Sequence, residues 1–162
     1  MRKDFYRGKP IKGPVAWVYG HYYEHEPPLI AIGKQTEKPK PFIVRTADAD
    51  WNLSRMVEHI PIKEGTAGQY TGYDAAKSHR GGRKEDLMIF DGDLLEYTDG
   101  NVKMPIHVRW DPSKAGFSPF TSGDFFNKED CLEIIGNVTD SPDLYKPLDM
   151  DRGKDASGGT LY

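Results

Sequence analysis

Gly68-Gln69-Tyr70-Thr71-Gly72, followed after a basic stretch by Ile89-Phe90-Asp91-Gly92-Asp93-Leu94-Leu95-Glu96-Tyr97, is the part of the chain whose reading decides the fold. The first stretch reads as a turn signal, because glycine reaches backbone angles closed to other residues. The second reads as a strand introduced by Asp-Gly-Asp. There the carboxylates accept hydrogen bonds from nearby backbone N–H groups and the glycine takes a strained φ. A turn, a basic loop over Lys77 to Lys84 and a strand point to a protein of short β elements.

The flanking sequence agrees. Phe5-Tyr6-Arg7-Gly8 reads as a short strand closed by glycine, and Val15 to Tyr23 as a long one rich in β-branched and aromatic residues, ended by Pro27-Pro28. Leu29 to Gly33 and Phe42 to Arg45 are further apolar runs, separated by a Lys- and Pro-rich loop. Tyr97 to Val102 carries Asp99-Gly100, a hairpin signal. In Ile106-His107-Val108-Arg109-Trp110 the apolar residues alternate, so Ile106, Val108 and Trp110 share a face. Leu132 to Val138 is a last strand, and Ser141-Pro142-Asp143 starts one helical turn. Residues 48–60 stay open between helix, from Leu53, Met56, Val57 and Ile60, and strand, from Val57 to Ile62.

With 162 residues the chain fits one domain over 1–147, with possible halves 1–87 and 88–147 sharing a core, and a polar Gly-rich tail over 148–162. Seventeen glycines and twelve prolines favour many turns, and seven Phe, nine Tyr and three Trp supply bulk for a small core. The fold class expected is mainly β, a small barrel with little helix. No apolar run approaches the ~18 residues that a membrane-spanning helix needs. Met1 to Phe5 has charge but no apolar stretch, so no secretory leader is expected. The lone cysteine, Cys131, excludes an internal disulfide, fits a reducing cytoplasm and reads as a buried structural thiol.

Charge is uneven. Residues 1–84 hold 15 Lys/Arg and 9 Asp/Glu, whereas residues 85–162 hold 7 and 16. The two halves can pack and neutralise each other, or the basic half can face nucleic acid. Basic and aromatic residues interleave at the start, with Arg2, Lys3, Arg7, Lys9 and Lys12 among Phe5, Tyr6, Trp17 and Tyr19. Lys77, Arg80, Arg83 and Lys84 form a second basic group. A single-strand nucleic-acid surface pairs cations with stacking rings in this way, and so does an ordinary edge strand.

Other motifs carry less. His21-Tyr22-Tyr23-Glu24-His25 matches an inverted zinc-protease pattern, but that chemistry needs a helix. On a strand the two histidines stand ~13 Å apart, too far for one metal. Asp48 to His59 imitates a calcium loop without the sixth-position glycine or the twelfth-position glutamate. Asp91 and Asp93 are paired carboxylates that serve a turn or, with a histidine, a divalent metal. No metal ligand set and no cofactor is expected.

Four stretches together resemble the YopX-like family of phage and prophage proteins. Phe5 to Lys9 with Trp17-Val18-Tyr19-Gly20 is similar to its opening. Thr66-Ala67-Gly68-Gln69-Tyr70-Thr71-Gly72 resembles its central signature, and Ile89 to Leu94, with Asp91, Gly92 and Asp93, its Gly-Asp strand start. Glu133 to Val138, with Gly136 and Asn137, through Leu144 resembles its closing motif. The resemblance implies a mainly β protein with an SH3-like small barrel in the C-terminal half and a strand-rich N-terminal half packed on it. It implies a phage or prophage gene product, and it assigns no catalytic residue. Residues 74–88 depart from the family by a longer, basic insertion. The function expected is therefore a non-enzymatic binding module in a bacterial cytoplasm, with a protein or nucleic-acid partner. The alternative is a divalent-metal enzyme of nucleic-acid metabolism using Asp91, Asp93 and a histidine.

Overall fold

The computed structural model describes residues 4–26, 38–47, 56–99, 102–121 and 132–144. In chain order its strands are Tyr6–Gly8 (β1), Val18–His25 (β2), Lys40–Ala47 (β3), Met56–Pro61 (β4), Gly68–Asp74 (β5), Lys77–Ser78 (β6), Met88–Phe90 (β7), Asp93–Asp99 (β8), Val102–His107 (β9), Arg109–Asp111 (β10), Gly116–Ser118 (β11) and Leu132–Asn137 (β12). Among the described residues helix is confined to one α turn, Lys84–Leu87 (α1), and a 3-10 turn at Pro142–Leu144. The fold is mainly β, and among the described residues no helix is long and apolar enough to cross a membrane.

Two sheets carry the structure. Six strands run in the order β4-β3-β2-β1-β5-β7, every pair antiparallel, with Arg7 opposite both Tyr19 and Gly68. Four run in the order β6-β12-β8-β9, with β6 parallel to β12 and the other pairs antiparallel. β10 and β11 form a separate hairpin. Among the described strands these are open sheets, and no pairing closes them into a barrel.

The alternation read over Ile106 to Trp110 holds only in part, because the stretch divides between β9 and β10: Val108 is buried but Trp110 is 39% exposed. β12 buries Leu132 and Ile134, which join Ile89, Leu95, Tyr97, Val108, Phe117 and Phe120 in the larger apolar cluster. Tyr73 stacks on Phe120 there at 4.3 Å between ring centroids. A smaller cluster of Val18, Ile43 and Ile62 lies under the six-stranded sheet, edged by Tyr6, Tyr22 and Ile60. Each fully buried Leu, Ile or Phe contributes about 1.5–3 kcal/mol of transfer free energy, so these clusters hold the short strands in place.

Several expectations shift. Gly68 to Gly72 is strand rather than turn, with Gly72 alone at positive φ (93°). The stretch Ile89 to Tyr97 is two strands in different sheets, broken at Asp91-Gly92. The basic loop contains β6 and leads into α1. Within 48–60, residues 56–60 are strand, and residues 48–55 lie outside the described part, as do the apolar run Leu29 to Gly33, Cys131 and the tail.

Candidate functional site

The chain crosses between its two sheets at Asp91-Gly92. Gly92 sits at φ 84°, a left-handed value that suits glycine. Its N–H donates to the Val108 carbonyl at 2.9 Å, and its carbonyl accepts from the Val138 N–H at 2.9 Å. The Asp91 N–H donates to the Gln69 carbonyl at 2.9 Å. Gly68 lies close against this crossing, since a Cβ built there would meet the Asp91 carbonyl oxygen at 2.5 Å. The two glycines serve different needs, one a φ and the other a close approach.

Because the backbone turns at Gly92, the neighbouring carboxylates part company. Asp93 points into the protein with no exposed surface. Its Oδ2 accepts from the Phe90 N–H at 2.8 Å and from Arg80 Nη2 at 3.2 Å. Its Oδ1 lies 2.7 Å from Arg7 Nη2. That contact is close but off-axis, so Oδ1 receives no aligned N–H. Arg80 Nη2 also donates to the Met88 carbonyl at 3.0 Å. The Arg7 guanidinium lies over the Trp17 ring at 4.6 Å and the Phe90 ring at 5.1 Å, where aromatic faces stabilise a cation. Arg7 is only 2% exposed, yet among the described residues its Nε and Nη1 have no hydrogen-bond partner. Burial lowers the Arg7 pKa against the pull of Asp93, but a guanidinium stays protonated in proteins.

On the other side of the crossing is a cleft of about 220 Å³. All four stretches quoted above meet at it. Arg7 and Trp17 come from the first, Thr66 and Ala67 from the second, Asp91 and Gly92 from the third, and Val138 and Thr139 from the fourth. Gly65, together with His107 and Arg109, which flank buried Val108, completes the lining. The closing turn is tied to the N-terminal wall through Asp140. Trp17 Nε1 donates to its Oδ2 at 3.1 Å, Lys9 Nζ pairs with its Oδ1, and Asn137 Nδ2 donates to Oδ2 at 3.1 Å. Asn137 in turn accepts the Thr139 and Asp140 N–H groups on its Oδ1.

Electrostatics in the cleft are poised. Burial pushes the Asp91 carboxyl up, opposed by His107, by N–H groups of Trp110 and Gly92, and by Arg7. Burial pushes His107 down, opposed by Asp91 and reinforced by Arg109. Each group of the pair thus resists its charged form more than it would in water. Around the crossing stand the cations Arg7, Arg80 and Arg109 and the carboxylates Asp91 and Asp93, one positive charge in excess with His107 neutral.

Four of the basic residues read as a nucleic-acid surface are paired with carboxylates of the same chain. Arg7 and Arg80 are held by Asp93, Lys9 by Asp140, and Arg83 by Asp86 at 3.1 Å. Lys12, Lys77 and Lys84 are exposed, and Arg2 and Lys3 lie outside the described residues. The uneven charge of the halves is thus met in part by pairing between them. The turn and packing residues are placed as follows. Gly20 packs under the Val44 carbonyl and Gly136 against Ser141. Gln69 and Tyr70 pair with β1 and β7, and Tyr70 lies against Phe90 at 5.8 Å. Asp93, rather than Asp91, is the carboxylate that fixes the turn to Phe90.

His21 and His25 are exposed on one face of β2, as a strand requires, and Glu24 accepts from the Tyr22 hydroxyl instead of facing them. Burial and Glu24 push that phenol up to about 12. Among the described residues no three His, Cys, Asp or Glu side chains converge as metal ligands. The trio of Asp91, Asp93 and a histidine is not assembled, because Asp93 faces Arg7 and Arg80. Sequence reading missed His107 and Arg109. Their signal was the polar half of the alternation from Ile106 to Trp110, which looks the same whether that face meets solvent or a cleft. Comparisons with protein-family models, with curated proteins and with solved structures returned no match.

Proposed function

We propose that this chain is a YopX-like protein of phage or prophage origin that acts as a non-enzymatic binding module in the bacterial cytoplasm, using the cleft at Asp91-Gly92 to engage its partner. One observation carries the reading: a buried cation, Arg7, lines the cleft beside exposed Arg109, and its Nε and Nη1 have no acceptor among the described residues. A buried donor left without an acceptor costs about 1–3 kcal/mol, and the guanidinium charge it leaves incompletely met favours an anion in the cleft. The meeting of four separated stretches at this cleft supports the same reading and fits the family resemblance. An SH3-like C-terminal half is supported by β8 to β12 gathered around the larger apolar cluster; its closure is a further part of the proposal. The experiment is a ligand panel read by thermal shift, with Arg109→Glu as the cleft variant. Ligand binding to the native state raises Tm, and a rise for an anionic ligand that is lost in the variant is expected. A panel that leaves Tm unmoved counts against the module.

A second reading rests on Asp91 and His107 sharing the cleft. A carboxyl raised and an imidazole lowered by burial are the groups that acid–base chemistry employs. With Asp93 committed to two arginines, this alternative is an Asp91–His107 pair, alone or with a divalent ion, acting on a nucleic-acid phosphodiester. Turnover of bis-(4-nitrophenyl) phosphate with Mg²⁺ or Mn²⁺, abolished by His107→Gln, would favour it over the binding module.

A further inference from the structure

Resting on the binding-module reading, we infer that the cleft holds a single carboxylate carried by a polypeptide partner, an acidic side chain or a chain end, with Arg7 and Arg109 as the cations that receive it. Four observations lead there.

The first is the donor. Arg7 is 2% exposed, lines the cleft, and has Nε and Nη1 without partners among the described residues. Its existing partner, Asp93, is also engaged by Arg80 and the Phe90 N–H, so it cannot turn to satisfy those groups. Both nitrogens are shielded from solvent, so an incoming anion meets the incompletely satisfied charge of Arg7 through its field across the cleft wall, where low dielectric weakens that attraction less than water would.

The second is charge. Arg7, Arg80 and Arg109 exceed Asp91 and Asp93 by one. One monoanion balances the cluster, and a phosphate monoester would overshoot it with its roughly −1.5 to −2 charge.

The third is size. At about 220 Å³ the cleft is smaller than the roughly 300–1,000 Å³ of pockets that enclose a whole small molecule. It admits one group while the rest of the partner lies outside, next to the exposed edge formed by Ala67 and Thr139.

The fourth is the surroundings. A nucleic-acid strand needs successive free cations along its backbone. Lys9, Arg80 and Arg83 are each taken by a carboxylate of the same molecule, so a strand anchored at Arg7 finds no second phosphate partner in these side chains. A carboxylate needs only the one site.

The Trp17 Nε1–H and Arg7 Nε–H resonances of the ¹⁵N-labelled full chain report on the site. The probes are a short peptide, blocked at both ends, with one central glutamate; its glutamine counterpart; the glutamine peptide with a free C-terminal carboxylate; sodium acetate; inorganic phosphate; and oligothymidylate. We expect saturable shifts of both resonances with either carboxylate peptide and none with the blocked glutamine peptide. Arg109→Ala should weaken the peptide roughly tenfold, the loss of one charge-assisted contact. Lys114→Ala, an exposed change outside the cleft, should leave it unaltered. Acetate binding as tightly as the peptides would overturn the polypeptide source. Shifts with phosphate or oligothymidylate but not with the peptides would overturn the carboxylate while leaving the binding module standing. Silence from every probe would overturn the site itself, and hydrolysis of a probe would overturn the non-enzymatic reading instead.

Discussion

Arg7 Nη2 lies 2.7 Å from Asp93 Oδ1, with the two side chains 2% and 0% exposed. The pair joins β1 of the six-stranded sheet to β8 of the four-stranded one. It also joins the basic first half of the sequence to the acidic second. A buried ion pair adds little net stability, because desolvation offsets its attraction, but removal of one partner leaves the other uncompensated.

Asp93→Asn should therefore be severely destabilising. Both Arg7 and Arg80 lose their buried counter-charge, and breaking a buried pair costs about 3–5 kcal/mol. Urea unfolding checks the value. A change under about 1 kcal/mol, the scale of exposed pairs, would mean that the pair is solvated in solution.

The basic loop should split into unlike residues. Arg80→Ser removes bonds to Asp93 and the Met88 carbonyl and should cost about 1.5–3 kcal/mol, the range for hydrogen bonds to charged groups. Arg83→Ser and Lys84→Ser, exposed changes, should leave Tm nearly unaltered. Equal Tm losses across the three single variants would refute this division.

Gly92→Ala should destabilise by about 1–2 kcal/mol, the cost of placing a Cβ at positive φ. Gly92→Val should cost more, since its branched side chain is also stiff at χ1 and faces Val138. Asp91→Asn should be milder, because the Phe90 turn rests on Asp93. Chemical denaturation of the three variants gives the order directly.

His107 sets a pH dependence. Burial holds its folded pKa below the unfolded value of 6.5, with Asp91 opposing and Arg109 reinforcing. The unfolded chain then binds more protons in the window from 6.5 down to the folded value, so stability falls as pH falls through it. His107→Gln should abolish this slope as pH falls through 6.5 toward the folded value. Asp91 acts with the opposite sign and lower down. Its folded pKa lies above the unfolded 3.8, so its contribution is present below that value and is lost as pH rises through the folded one. A parent and a His107→Gln variant with superimposable Tm–pH curves would rule out this role.

Much of the strand content was legible in local order. β1, β2, β3, β8 and β12 fall where apolar, β-branched and aromatic runs bounded by turn residues put them, because such side chains suit a pleated, half-buried surface. Turn chemistry was legible at Gly92 and in the Ser141–Leu144 turn for the same local reason. Residues 68–72 were misread because two glycines in five residues look like a turn, whereas here one accommodates a close approach and the other a local kink within β5.

What only the tertiary structure decided is where charge goes. Asp91 and Asp93 look equivalent in sequence, two positions apart and flanking one glycine. The positive φ at Gly92 breaks the strand between them, so one carboxylate turns inward to two arginines and the other faces a cleft. Arg7 reads as a surface cation until its partner arrives from 86 positions further along the chain. Burial of a charge depends on a counter-charge, and no local pattern encodes a counter-charge that distant. The sequence by itself determined the strands and their turns. Pairing at long range determined which polar residues became core, and which remained to line a site.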